Sequence, residues 1–482
     1  MFVFEEFEKL CAIPHPSGCL DEIRAYIIKC AQACGVEVET DAVGNVKVTM
    51  PATAGRESEP GVILQAHMDM VPQTDATTQH NWQHDGLKLQ RVAVGQSDEY
   101  PDSELIMATG TTLGADNGVG VAAMLAIMKH PEISHAPLEL LFTVDEETGM
   151  TGVRGMEAGW LKGKYLYNLD TEEEGTLMVS CAGAVNLTAK LRYKMDENLP
   201  EGDVAVRLSI TGLKGGHSGM DIHLGRGNAV KLMTRFLKHV VVGYEARLAS
   251  FVGGTLRNAI AREAEALITV PAEVADELMQ EVEYYNELFK YELRGVDEGV
   301  SLTAQAVEMP AALIPEEIQD DLLNCIEAAH DGVLRMSPDL PSVVETSSNL
   351  ASVYTSSEGV ANVVMLVRSL NDEMKRALAS RLQSCFVLGG MKVDFTAPYS
   401  GWELPLGAPL VERCKRKYAS LFGTELKVSS VHCGLECGIL SSLYPELEIV
   451  SFGPTIHHPH SPQESVEVES IKKFWKFLVE ML

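Results

Sequence analysis

Four short apolar runs in this chain end in side chains that hold protons or cations. "GVILQAHMDM" (61–70) closes on His67 and Asp69, and "PLELLFTVDEETG" (137–149) on Asp145, Glu146 and Glu147. "YLYNLD" (165–170) closes on Asp170, and "ELEIVSFG" (446–453) leads into "HHPHSPQE" with His457, His458 and His460. Each run has the length of a buried strand. Helical patterns alternate with them, among them the Ala-, Val- and Met-rich "GVGVAAMLAIMKH" (118–130). Strands that alternate with helices predict an α/β fold with parallel strands. In such sheets ligands collect beyond the carboxyl ends of the strands, which is where these acids and histidines stand.

At 482 residues the chain is long for one domain, and two are expected. From 183 to 395 the texture changes and weak internal repeats emerge. "VNLTAKLRY" (185–193) resembles "VSLTAQAVE" (300–308). The segment 259–285 resembles 359–386, each reading as a strand followed by an amphipathic helix. These repeats predict two similar α+β halves of about 100 residues each, inserted into a discontinuous catalytic domain. The expected division is 1–182 and 396–482 for the catalytic domain, with 183–395 as the insert. The polar stretch 71–110 has little periodicity and reads as a surface excursion.

The formal charge of −29 argues against nucleic acid and anionic membranes as partners. No apolar run approaches the roughly 18 to 20 residues of a membrane span. The start "MFVFEEFEKLCAIP" carries acids where a signal peptide carries bases. Ten scattered cysteines read as reduced, mostly buried thiols, and a cytoplasmic setting is expected.

His67 and Asp69 sit at i and i+2 of one strand and so share a face. "TTLGADNG" (111–118) puts Asp116 in a glycine-flanked turn before a helix. Imidazole with carboxylate suits zinc, cobalt or manganese. One divalent ion would leave several carboxylates repelling one another, whereas two ions bridged by one carboxylate neutralise them. Each motif also has an ordinary reading. "DEE" can be a solvated turn, "GADNG" a helix cap, and His457 and His458 solvated loop histidines. Their shared position at strand ends favours the metal reading, but it does not select among His457, His458 and His460.

"AHMDMVP", "GTTLGADNGVGVA", "DEETGMTG", "NLDTEEEG", "GGHSGMDI", "LRNAIAR", "HCGLECGIL" and "GPTI…PHSPQE" together resemble the zinc aminopeptidase/carboxypeptidase/aminoacylase family of co-catalytic metallohydrolases. The resemblance runs over essentially the whole chain, in order. It implies a zinc-exopeptidase-like mixed, mostly parallel sheet flanked by helices, with an inserted α+β lid. It also implies two Zn2+ per chain, replaceable by Co2+ or Mn2+. His67, Asp116, Glu147, Asp170 and His460 match metal ligands, with Asp116 bridging. His460 alone sits in the family's H-S-x-x-E pattern, through Glu464. The peptide after the bridging aspartate is often cis in the family. Asp69 matches the partner that orients His67, and Glu146 the general base. In the insert, His217 matches the histidine that stabilises the oxyanion, and Asn258 and Arg368 match the groups that grip the substrate carboxylate. Without the resemblance, Arg368 reads as a surface strand residue.

The implied activity is hydrolysis of dipeptides, Xaa-His dipeptides such as β-alanyl-histidine among them. The alternative is an N-acyl-amino-acid amidohydrolase with the same metal centre. In shorter relatives the lid histidine comes from a second subunit. A doubled lid implies a self-sufficient monomer here, with a homodimer as the other possibility. The stretch 87–110 is several residues longer than the family's usual spacing. Cys433 stands where a small residue such as Ala is expected.

Overall fold

The computed structural model describes residues 2–482, which divide into two compact units. The first comprises the chain up to Cys181, Trp402–Ser430 and Leu435–Leu482; the second comprises Ala182–Gly401 and Val431–Gly434.

A nine-stranded sheet forms the centre of the first unit. Its order is Glu37–Thr40, Val46–Met50, Leu138–Thr143, Val62–His67, Tyr165–Asn168, Glu448–Ser451, Thr176–Cys181 and Trp402–Glu403, with Lys427–Val431 beside Thr176–Cys181. The four central strands run parallel. Strands on both flanks pair antiparallel. Val62–His67 and Leu138–Thr143 are buried at every residue, which is why they read as continuous apolar runs rather than alternating ones.

The helix Ala115–Lys129 is buried nearly all round, so its sequence shows no polar face. Gly120 brings it close to the sheet. A Cβ there would lie 2.1 Å from Asn117 Oδ1 and 3.1 Å from the Cβ atoms of Ala66 and Leu169.

The excursion 71–110 is more ordered than its sequence suggests. Leu89–Val92 pairs with Leu105–Ala108, which pairs with Ser465–Glu467, which pairs with Ile456–His457. Strands of two to four residues are too short to show periodicity. Burial of Ile106 and Ala108 against the main core holds this small sheet in place.

The second unit contains two β-α-β-β-α-β halves. One consists of strands Asp203–Thr211, Arg247–Gly253, Ala264–Pro271 and Ser301–Val307 with helices Ala229–Tyr244 and Ala275–Glu292. The other has strands Gly183–Arg192, Val344–Ser356, Val360–Ser369 and Lys392–Tyr399 with helices Glu316–Ala328 and Asp372–Leu388. Both have the spatial strand order fourth, first, third, second. They join edge to edge where Val252 and Gly253 face Tyr354 and Val353.

The halves are nested rather than in tandem, because the whole of one lies between the first strand and first helix of the other. This corrects one repeat pairing. The strand at 185–193 is the first of its half, whereas 300–308 covers the fourth of the other. The pairing of 259–285 with 359–386 does match third strand and second helix in both.

Candidate active site

The polar residues of the first unit gather where the parallel strands end. His67 is the last residue of its strand, and Asp69 lies two beyond it. Asp145, Glu146 and Glu147 follow the strand ending at Thr143, and Asp170 follows the one ending at Asn168. Asp116 stands at the start of the buried helix, and its peptide bond to Asn117 is cis.

These residues form two groups that share Asp116. Its Oδ1 lies 3.0 Å from His67 Nε2, and the same nitrogen is 3.3 Å from Asp170 Oδ1. Its Oδ2 lies 3.1 Å from His460 Nε2, which is 2.9 Å from Glu147 Oε1. Glu147 Oε1 is buried and makes no hydrogen bond despite that proximity. A ring nitrogen and a carboxylate oxygen that are close yet misaligned resemble ligands directed at a common cation. The donor atoms of His67, Asp116 and Glu147 all lie within 4.8 Å of one another. Imidazole nitrogens and carboxylate oxygens converging on Asp116 make a donor set that suits divalent cations.

The electrostatics point the same way. The adjacent carboxylates of Asp116 and Glu147 push His460 up to about 11. His67 is also held well above its usual range; burial opposes this, but Asp170, Asp116 and Asp69 outweigh it. Burial raises the Glu146 carboxyl well above the carboxylate range, His67 opposes the shift, and Asp170, Glu147 and Glu436 add to it. Thus the acids surround their imidazoles with excess negative charge, which a divalent cation would neutralise.

Further residues hold this geometry. His67 Nδ1 lies 3.0 Å from the Asp69 carbonyl oxygen and 3.3 Å from Asp69 Oδ1. Asp69 in turn accepts from Ser17 Oγ at 2.7 Å and from the backbone N–H groups of Glu146 and Glu147 at 3.0 and 3.3 Å. It therefore orients the imidazole and the strand end that carries both glutamates. Asn117 Nδ2 donates to Asp170 and to the Leu169 carbonyl.

Sequence reasoning used Glu464 only to set the register of His460. Its buried carboxylate accepts from the N–H groups of Leu113, Gly114 and Ala115 at 2.7–2.9 Å, anchoring the turn that presents Asp116. Glu436 was missed. Fully buried, it accepts from Gln65 at 2.6 Å and Thr143 at 2.8 Å, and burial raises it to about 8. It lies within the quoted "HCGLECGIL", but nothing there marks its burial, since Gln65, Thr143 and Glu436 meet only in the fold. Of the late histidines, only His460 faces this cluster. His457 Nε2 lies 2.9 Å from Glu467, and His458 Nε2 lies 3.0 Å from Glu99.

A second cluster lies within the second unit. His217 pairs with Ala259 on a two-residue ribbon, and the Asn258 carbonyl accepts from Ser218 N at 2.8 Å. Asn258 itself is exposed. Arg368 is buried, unlike the surface strand residue its sequence context suggests. Its Nη1 donates to Tyr399 Oη at 3.2 Å, and its Nε has no hydrogen-bond partner. Among the described residues no carboxylate lies within salt-bridge distance of it.

Burial and the nearby Arg368 lower His217 to about 4, so its imidazole is neutral near pH 7. His217 Nδ1 accepts from Gly219 N and Met220 N at 3.2 and 3.0 Å, which puts the ring proton on Nε2. Nε2 stands 3.5 Å from Arg368 Nη2. Two donors thus face the same place, an arrangement suited to an anionic oxygen.

Residues 63–482 match Peptidase family M20/M25/M40. The chain belongs to this family. As a member of Peptidase family M20/M25/M40 it is a hydrolase of peptide bonds. It is 40% identical over 480 residues to the cytosol non-specific dipeptidase of Escherichia coli (strain K12), covering 100% of this chain and 96% of that one. Among solved structures, the aminoacylhistidine dipeptidase from Vibrio alginolyticus matches with a TM-score of 0.88 and 39% identity, covering 99% of this chain and 95% of that one. The aminopeptidase PepT from Bacillus cereus matches over 100% and 97% with a TM-score of 0.56 and 17% identity, a likeness of fold alone. Among the described residues, no helix is long and apolar enough to cross a membrane.

Proposed function

We propose that this family member is a metal-dependent dipeptidase, with Xaa-His dipeptides such as β-alanyl-histidine among its substrates. The observation that carries the reading is the pair of ligand groups sharing Asp116, in a chain similar over its full length to a dipeptidase. His67, Asp116 and Asp170 would hold one cation, and Asp116, Glu147 and His460 the other. Bound zinc, cobalt or manganese supplies Lewis acidity and lowers the pKa of water toward neutrality.

Glu146 takes a proton from the attacking water on its carboxylate and returns it to the leaving nitrogen, a role suited to a carboxyl raised by burial. Asp69 keeps His67 oriented. His217 donates from Nε2 to the developing oxyanion. Arg368 and Asn258 hold the free C-terminal carboxylate, which limits substrates to short peptides. The free cysteines and the cytosolic relative support a cytoplasmic setting.

Chelation followed by re-addition of zinc, cobalt or manganese, assayed on a dipeptide panel, tests this reading. Activity should vanish and return; full activity in the chelated protein would defeat it. Cleavage of β-alanyl-histidine but not N-acetyl-histidine is expected, and the reverse would make the enzyme an N-acyl-amino-acid amidohydrolase.

A further inference from the structure

His460 is presented by the seven-residue loop of the hairpin between Ile456–His457 and Ser465–Glu467, and both His458 and His460 have positive φ, 49° and 61°. Non-glycine residues reach that region at a cost and persist there when their surroundings over-determine them. The excursion supplies such surroundings. Tyr100 stacks on His457 with ring centroids 3.7 Å apart and an interplanar angle of 15°. Its Oη lies 3.2 Å from His458 Nε2 and donates to Glu99 Oε1 at 3.1 Å, while Glu99 Oε1 is 3.0 Å from the same nitrogen. Ser103 Oγ donates to Glu467 Oε1 at 3.0 Å, the oxygen that also meets His457. Two adjacent residues of one loop thus grip the two histidines that immediately precede Pro459 and His460.

We propose that Tyr100, assisted by Glu99, is a positioning residue: it fixes the hairpin so that His460 Nε2 stands against Asp116 and Glu147 before a cation arrives. The proposal rests on the two-cation reading above. It gives the longer 87–110 stretch a task and His457 and His458 a use as handles rather than ligands.

The test compares full-length wild type with Tyr100→Ala, Tyr100→Phe and Glu99→Gln. Zinc binding to the chelated protein is read by isothermal titration calorimetry, and kcat and KM are measured at saturating zinc. Tyr100→Ala should weaken one of two zinc equivalents about 10-fold, the scale seen when a ligand loses its outer support. At saturating zinc its kcat should recover and its KM stay near wild type. Tyr100→Phe keeps the stack and should restore most of the affinity, and Glu99→Gln should weaken the same equivalent more mildly. A general structural role would instead lower thermal stability and affect both equivalents.

Wild-type affinity in both Tyr100→Ala and Glu99→Gln would overturn the proposal alone. A wild-type protein that takes up no zinc would overturn the two-cation reading and this proposal with it. If Tyr100→Ala does not fold, the Glu99→Gln and Tyr100→Phe titrations decide.

Discussion

Three histidines separated by at most three positions have unrelated surroundings. His460→Ala should lose one zinc equivalent and most activity, whereas His457→Ala and His458→Ala should retain kcat at saturating zinc. Equal damage from His458→Ala would show that the wrong imidazole has been assigned. Arg368 is buried without a carboxylate partner, so Arg368→Met should act on substrate binding. Hydrogen bonds to charged groups contribute about 1.5–3 kcal/mol, so kcat/KM should fall about 10- to 100-fold, mainly through KM. The variant should also stop distinguishing a dipeptide from its C-terminal amide; retained discrimination would refute the carboxylate grip. His432, buried with Nε2 2.7 Å from Ser347 Oγ, is lowered to about 3 by burial and by Arg368. A depressed histidine makes the unfolded chain the first to bind a proton as pH falls. Its contribution is therefore present above about pH 6.5 and lost progressively toward pH 3. The stability advantage of wild type over His432→Gln should shrink by about 2 kcal/mol between pH 6.5 and 5. Denaturant titrations at the two pH values check this, and a constant difference would exclude the linkage.

At the scale of elements, the helix Ala115–Lys129 does most to place the site, because it carries Asp116 and packs on the strand that carries His67. Gly120→Ala would push a methyl group into Asn117, Ala66 and Leu169. Overpacking of this kind costs about 1–3 kcal/mol, so the variant should unfold at lower denaturant and bind zinc more weakly, since Asn117 holds Asp170. An unchanged midpoint would mean that the helix has room to shift. The helix was legible as an apolar run, but its closeness to the sheet was not, since it depends on which glycine faces which strand. The short strands at 89–92 and 105–108 were illegible because four residues show no periodicity and because 105–108 is ordered by pairing with residues more than 350 positions away.

For the whole molecule, the nested halves of the second unit put His217, Asn258 and Arg368 together on one chain. A self-sufficient monomer, as the doubled lid implies, would keep its activity per chain constant on dilution through any dimer dissociation seen by size-exclusion chromatography. Loss of specific activity in step with dissociation would show that a second subunit completes the site.

The sequence by itself determined the class of fold and the kind of chemistry. Apolar runs of strand length alternating with helices allow only a few architectures, and parallel strands bring their carboxyl ends to one edge, so the acids and histidines at those ends were legible as a group. How the repeated halves interlock, and that Arg368, Glu436 and Glu464 are buried, were decided only by the tertiary structure. Each depends on contacts between residues far apart in the chain, and no local pattern encodes the distance at which a turn, a loop or a buried charge meets its partner.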